Sequence, residues 1–137
     1  MKAKVLLVLR VVAAIILLQT LYFKFTGAPE SIFIFTKMGI EPWGRWFSGI
    51  IELVAAALLV LPGTQMLGAL ISLGVMSGAI MSHLLVLGLV IEDDGGLLFG
   101  LACTVFIFSL LVLVVKRDQL KILVNRLAKL ILKKKTE

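Results

Sequence analysis

The sequence has few charged residues, one cysteine and three prolines, and the scarcity of charge is the most informative of these. Of its 137 residues, 16% are charged and 61% are hydrophobic, and the mean hydropathy is +1.12. An average soluble domain is about half apolar and a quarter charged. A soluble domain of this length could not bury so much apolar surface, so the composition indicates a membrane protein with one small bundle.

The single cysteine and the single histidine limit the redox chemistry of the chain. Cys103 has no second cysteine for a disulfide or a CxxC pair, and a buried cysteine usually behaves as a small hydrophobe. His83 is the only histidine, so one chain cannot supply both axial ligands of a bis-histidine haem. No glycine-rich nucleotide loop is visible. We therefore expect no intrinsic cofactor, and electron transfer would need a quinone or a partner protein.

The net charge of +6 is concentrated toward the two ends of the chain, with few basic residues in the apolar runs. This distribution is typical of membrane topology. A nucleic-acid-binding surface would need a basic stripe on a folded soluble face, and the sequence has none. We expect no nucleic-acid partner.

Four apolar runs are long enough to cross a bilayer, because a helix that rises about 1.5 Å per residue needs ~20 residues for the ~30 Å hydrocarbon core. The predicted spans are residues 5–23, 45–61, 66–91 and 97–115. Arg10 lies near one end of the first span, where its long side chain can reach the head groups. The predicted fold class is all-α: an integral membrane four-helix bundle in one domain, residues 1–137.

Two further segments are predicted outside the spans. Residues 24–44 form an interfacial loop, in which Pro29 starts a short helix or re-entrant piece that ends near Gly39. Residues 116–135 place apolar side chains on one helix face and lysines and arginines on the other. This pattern predicts a basic amphipathic helix on the anionic cytoplasmic leaflet, with packing on a partner protein as the alternative.

The distribution of lysine and arginine predicts that both termini are cytoplasmic. Basic residues are densest after residue 115, and the acidic segment 92–96 has no lysine or arginine, so it is expected outside. The first loop runs against this orientation because it contains Lys24, Lys37 and Arg45.

Lys24, Glu52 and His83 form the candidate site. Ionisable groups within a membrane are costly and therefore suggest function. Glu52 and His83 each lie about two turns from the outer ends of their predicted spans, which places both roughly 10–12 Å below the outer interface. Lys24 marks the outer end of the first span. Small residues on the same helix face predict that Glu52 faces the bundle interior: Ser48, Gly49, Ala55 and Ala56. On the third span, Gly74, Gly78 and Ser82 form a row of small residues on the face adjoining His83.

Three interpretations of this polar cluster are open. It could fix helix register, hold the polar head of a quinone or similar molecule, or bind a metal. The metal interpretation is the weakest, because it needs the loop acids Glu92, Asp93 or Asp94 as additional ligands, and we predict no metal site. Residues in and beside the first loop are expected to cap the cluster: Tyr22, Trp43, Arg45 and Trp46.

The order of five short motifs resembles the DoxX family of small membrane proteins. They are Tyr22-Phe23-Lys24-Phe25-Thr26-Gly27, Met38-Gly39-Ile40-Glu41-Pro42, Gly49-Ile50-Ile51-Glu52-Leu53, Leu61-Pro62-Gly63 and His83. The resemblance extends to about Lys116. It implies a four-helix protein of the bacterial inner membrane, with conserved charged positions at Lys24, Glu52 and His83.

The resemblance implies several functions, since family members differ. Some are linked to quinol oxidase or thiosulfate:quinone oxidoreductase complexes, and distant relatives assist receptor assembly. The leading hypothesis is an accessory or binding subunit with a buried polar site, without its own catalysis. The alternatives are a quinone-interacting subunit of a membrane oxidoreductase, with other subunits as partners, and an assembly factor for membrane complexes.

Overall fold

The computed structural model describes residues 2–136, and its regular structure is entirely helical within that range. Pro29 occupies the first turn of α2, where its missing N–H costs nothing. The helices are α1 (Ala3–Thr26), α2 (Pro29–Lys37), α3 (Trp43–Val60), α4 (Gln65–Leu87, with a π-helical last turn from His83), α5 (Leu97–Val115) and α6 (Arg117–Thr136).

Four of these helices, α1, α3, α4 and α5, are long and apolar enough to cross a membrane. The all-helical fold with four candidate spans is therefore confirmed. The third helix ends at Leu87, four residues before the predicted end at residue 91. Gly88 stops it, because its φ of +82° is a conformation that L side chains rarely adopt.

The four spanning helices form a ring in the order α1, α3, α4, α5. Its interior is rich in small side chains, including Ala13, Ala55 and Ala69, whereas bulky ones such as Ile15 and Phe47 are exposed. Small interior residues let membrane helices approach closely. One end of the ring carries α2 and the 88–96 segment, and we call it the α2 end. The opposite end carries the turn after Val60 and the start of α1.

Arg10 turns toward the bundle, which differs from the expected position at the head groups. Its Nη1 donates a hydrogen bond of 3.2 Å to the carbonyl oxygen of Leu59. That carbonyl belongs to the last turn of α3, where helical carbonyls lack partners in their own helix. Arg10 therefore caps α3 and ties it to α1.

The predicted short helix between the first two spans is present as α2, close to the bounds given by Pro29 and Gly39. The C-terminal basic segment is also helical, from Arg117 to Thr136, and none of its residues is buried. Its predicted place on the cytoplasmic surface stays a prediction, since the protein is described without a bilayer.

Candidate functional site

A cavity of about 650 Å³ lies between the four spanning helices at the α2 end. Its walls are mainly apolar, and α2 contributes Ser31 and Phe35, both of which are buried. The three predicted site residues, Lys24, Glu52 and His83, all line this cavity. Its size and its few polar groups are typical of small-molecule sites, which measure about 300–1,000 Å³.

Lys24 and Glu52 form an ion pair on the cavity wall, between Nζ of the lysine and Oε1 of the glutamate. The hydroxyl of Thr20 lies 3.0 Å from the other carboxylate oxygen, Oε2, and 2.8 Å from the carbonyl oxygen of Leu17, so its one proton is shared between these two acceptors. The ammonium also lies 5.9 Å from the centre of the Phe35 ring. Glu52 is buried, so its charge is compensated by two donors rather than by water.

His83 does not join that ion pair but bonds to the chain just beyond its own helix. Its Nδ1 lies 2.9 Å from the carbonyl oxygen of Gly88, and the N–H of Gly88 donates to the His83 carbonyl at 2.8 Å. The imidazole packs edge-on against Phe99, with ring centres 5.5 Å apart. This reciprocal pairing fixes the ring at the π-helical end of α4, a kind of turn that is frequent at functional sites.

Asp94 is a cavity residue that the sequence suggested only as a metal ligand. Its Oδ1 accepts hydrogen bonds from the N–H groups of Ile91 (3.0 Å) and Gly96 (2.8 Å), and Oδ2 accepts one from Leu98 (3.1 Å). Burial alone would raise the pKa of Asp94, but these three backbone donors hold it below its usual value. Asp94 therefore caps the start of α5 as a carboxylate.

Arg45 connects the surrounding elements from behind the cavity wall. Its Nε lies 2.9 and 3.0 Å from the two carboxylate oxygens of Glu41, and Nη2 lies 2.8 Å from one of them. Nη1 donates to the backbone carbonyl of Lys24, near the end of α1. One buried guanidinium thus joins α1, the loop before α3, and α3 itself. The four-residue spacing of Glu41 and Arg45 was a usable signal for this pair.

The four loop residues expected to cap the site take different positions. Trp43 lines the cavity. Tyr22 and Trp46 are 68% and 48% exposed, and Trp46 lies beside the Arg45 guanidinium, so neither covers the site. Arg45 acts through its contacts with Glu41 and Lys24. The cover comes instead from α2, because its amphipathic face turns Ser31 and Phe35 inward.

The loop acids do not assemble into a ligand set for a metal ion. Glu92 and Asp93 are exposed, whereas Asp94 is engaged by backbone donors. Between residues 2 and 136, no group of three or more His, Cys, Asp or Glu side chains could hold a metal ion.

Comparison with known proteins gives one match. The model of the DoxX-like family matches residues 8–114, a range that includes all four spanning helices almost completely and every residue of the cavity wall named above. No curated protein and no solved structure matches the chain.

Proposed function

The chain belongs to the DoxX-like family of membrane proteins, and we propose that it binds a small molecule with a polar head and an apolar body. One observation carries this proposal: an apolar cavity of about 650 Å³ in which Lys24, Glu52 and His83 are brought together. A bundle whose polar residues served only helix register could pack apolar side chains over them, because protein interiors are close-packed.

Quinones and quinols are the class of ligand that we propose for this site. They combine a ring that carries hydrogen-bonding oxygens with an apolar tail, which matches a mainly apolar wall with a few polar groups. We place the protein as an accessory or binding subunit, with a quinone-linked membrane oxidoreductase as the alternative context. Assembly of other membrane proteins has no specific support in this cavity.

We further propose that the protein lies in the bacterial inner membrane with both termini cytoplasmic. The exposed α6 supports an anionic leaflet as its surface, since its lysines and arginines would meet lipid phosphates while its apolar side chains enter the bilayer.

Photo-crosslinking with an azido-benzoquinone that carries a ten-carbon tail tests the binding proposal. We expect adducts on α1, α3 or α4 at the α2 end in the oxidised or the reduced form of the probe, and an excess of the unlabelled compound should remove them. Glu52→Gln should reduce this labelling about tenfold, because it removes the charge that holds Lys24 and Thr20 in place. Glu92→Gln, in an exposed loop, is the matched control.

A double variant separates loss of binding from loss of folding. Glu52→Gln leaves a buried ammonium without its counter-charge, which can cost about 3–5 kcal/mol, whereas replacing both partners by apolar residues is often neutral. Lys24→Met with Glu52→Leu should therefore remain folded, as judged by thermal unfolding, and still fail to crosslink. Undiminished, competable labelling of that folded double variant would contradict the proposal.

A further inference from the structure

The hydrogen bond of His83 determines which ring atom is available to a ligand. The Gly88 carbonyl can only accept, so Nδ1 carries the proton, and Nε2 of the neutral ring is an acceptor. The hydrogen bonds found in the part of the chain that the structure describes include none at Nε2. His83 is only 6% exposed as a residue and lines the cavity, so its Nε2 offers the cavity an acceptor that no protein group uses.

An acceptor that faces a ligand cavity favours ligands that donate a hydrogen bond. A ligand that covered Nε2 without donating to it would leave this acceptor unpaired, which is costly, whereas a hydroxyl on the ligand would satisfy it. A ketone or ether oxygen would not, because both only accept. The chemistry at His83 therefore selects a hydroxyl-bearing head group.

The cavity also has an opening toward the bilayer between α3 and α4. These helices touch next to their connecting turn, where a Cβ on Gly68 would lie 2.5 Å from the backbone nitrogen of Leu59. Further along α4, Gly74 and Gly78 line the cavity and are exposed. A Cβ atom at either position would have no heavy atom within 4 Å. On α3, Phe47 lines the same cavity and is 61% exposed.

Residues that line a cavity and are also exposed mark the place where the cavity opens. The two glycines leave this edge of α4 without side chains. The exposed lining residues of the other helices, such as Phe23, Phe47 and Leu97, are bulky, so the glycine edge of α4 is the part of the opening with the least side-chain obstruction. An apolar chain would therefore leave the cavity past Gly78.

We propose that the cavity takes a phenol or another hydroxyl-bearing lipid, whose O–H donates to Nε2 of His83 and whose apolar tail leaves between α3 and α4. This proposal rests on the proposed function. It specifies the chemical class of the ligand's head group and the direction in which its tail leaves the cavity.

Two matched probes test the head group: 4-octylphenol and its methyl ether, 4-octylanisole, which lacks the donor. Their binding to the full chain in lipid nanodiscs is measured with radiolabelled compounds, with empty nanodiscs subtracted. We expect the phenol to bind about tenfold more tightly, as one hydrogen bond to a buried acceptor allows. His83→Phe keeps a ring against Phe99 and should bring the two affinities together.

The direction of the tail is tested by Gly78→Leu, which places a side chain in the opening. It should weaken both probes about tenfold. Gly100→Leu is the control. Gly100 is an exposed helical glycine of α5, and a Cβ atom there would also have no heavy atom within 4 Å, but Gly100 does not line the cavity. This variant should leave both affinities unchanged.

The possible results separate the two proposals. If neither probe binds the unmodified protein while the azido-benzoquinone still labels it, the hydroxyl-bearing ligand is wrong and the proposed function stands; if the quinone probe also fails to label it, the proposed function itself is wrong. Equal affinities for phenol and anisole would overturn the hydroxyl contact while leaving an amphipathic ligand in place, and this comparison stands even if His83→Phe does not fold. If Gly78→Leu leaves both affinities unchanged, the proposed exit of the tail between α3 and α4 is wrong.

Discussion

Two basic side chains near the cavity are each paired with a glutamate, and this pairing explains how their charges are held away from water. Lys24 is bound to Glu52 and Arg45 to Glu41. An isolated charge in an apolar interior is very unfavourable, whereas a paired and hydrogen-bonded one is tolerated. Asp94 solves the same problem differently, with backbone N–H groups in place of a cation.

Asp94 should therefore make the stability of the protein depend on pH in the acid range. Its pKa in the folded state is below the unfolded value near 3.8, so its contribution is complete above that value and is lost as the pH falls through the folded pKa. Asp94→Asn should lower the unfolding free energy by about 1 kcal/mol at pH 7. Thermal unfolding in detergent should show this difference shrinking below about pH 4, near the reference pKa of aspartate.

The neighbouring Asp93 provides the control for this measurement. It is exposed, and Asp93→Asn should leave the melting temperature unchanged at every pH. A gap between Asp94→Asn and the unmodified protein that stayed constant down to pH 3 would show that the carboxylate charge does not stabilise α5.

At the residue scale, the membership of the site was predictable, but its hydrogen bonds were not. Glu52 and His83 line one cavity, although His83 lies about one turn from the end of α4 at Leu87 and not two turns from an end at residue 91 as predicted. The hydrogen-bond partner of each side chain depends on how far that side chain reaches and on where the backbone turns. Lys24 reaches Glu52, whereas His83 meets the carbonyl of Gly88, because α4 ends earlier than its apolar run.

At the scale of helices, α3 and α4 change from close contact to separation along their length. The contact is made by Gly68, against which both Leu58 and Leu59 of α3 are packed. Beyond it, Gly74 and Gly78 have open space beside them. Glycines in the same helix thus have two roles. Gly68 lets two helices come into contact, whereas Gly74 and Gly78 leave the cavity wall without side chains.

Alanine substitutions should distinguish these two roles. Gly68→Ala would bring Cβ within 2.5 Å of a backbone nitrogen, so the helices must shift, and we expect a loss of about 1–3 kcal/mol in unfolding free energy. Gly74→Ala should be neutral or stabilise by up to about 1 kcal/mol, since alanine is the better helix former. Melting temperatures in one detergent compare them, and equal effects would contradict the assigned contact.

Proline and glycine residues predicted most of the helix boundaries. The end of α4 is the exception, and it has a physical cause. Pro29 and Gly39 correctly bracket α2. The end of α4 was missed because residues 88–91 are as apolar as a span, although they are not helical. Ile91 is only 2% exposed, so this stretch is apolar in part because it folds back and packs. Hydropathy does not distinguish that arrangement from a longer helix.

At the scale of the whole molecule, the first loop no longer argues strongly against cytoplasmic termini. Two of its three basic residues, Lys24 and Arg45, are held in ion pairs with Glu52 and Glu41, and Lys37 is the exposed one. The six basic residues of α6 after Arg117 are all exposed. The balance of accessible positive charge therefore favours the end of the ring opposite the α2 end as the cytoplasmic side.

Single cysteines should report this orientation when they are placed at opposite ends of the molecule. In a Cys103→Ala background, Asp93→Cys and Lys37→Cys should react with a membrane-impermeant maleimide added to intact spheroplasts, because both positions are exposed at the α2 end. Lys134→Cys, on α6, should react only after the membrane is permeabilised. Permeabilised samples establish that each cysteine is reactive. Labelling of Lys134→Cys in intact spheroplasts, with Asp93→Cys and Lys37→Cys protected, would put the α2 end in the cytoplasm. The α6 helix would then face the outer leaflet, where the proposed attraction to anionic cytoplasmic lipids could not act.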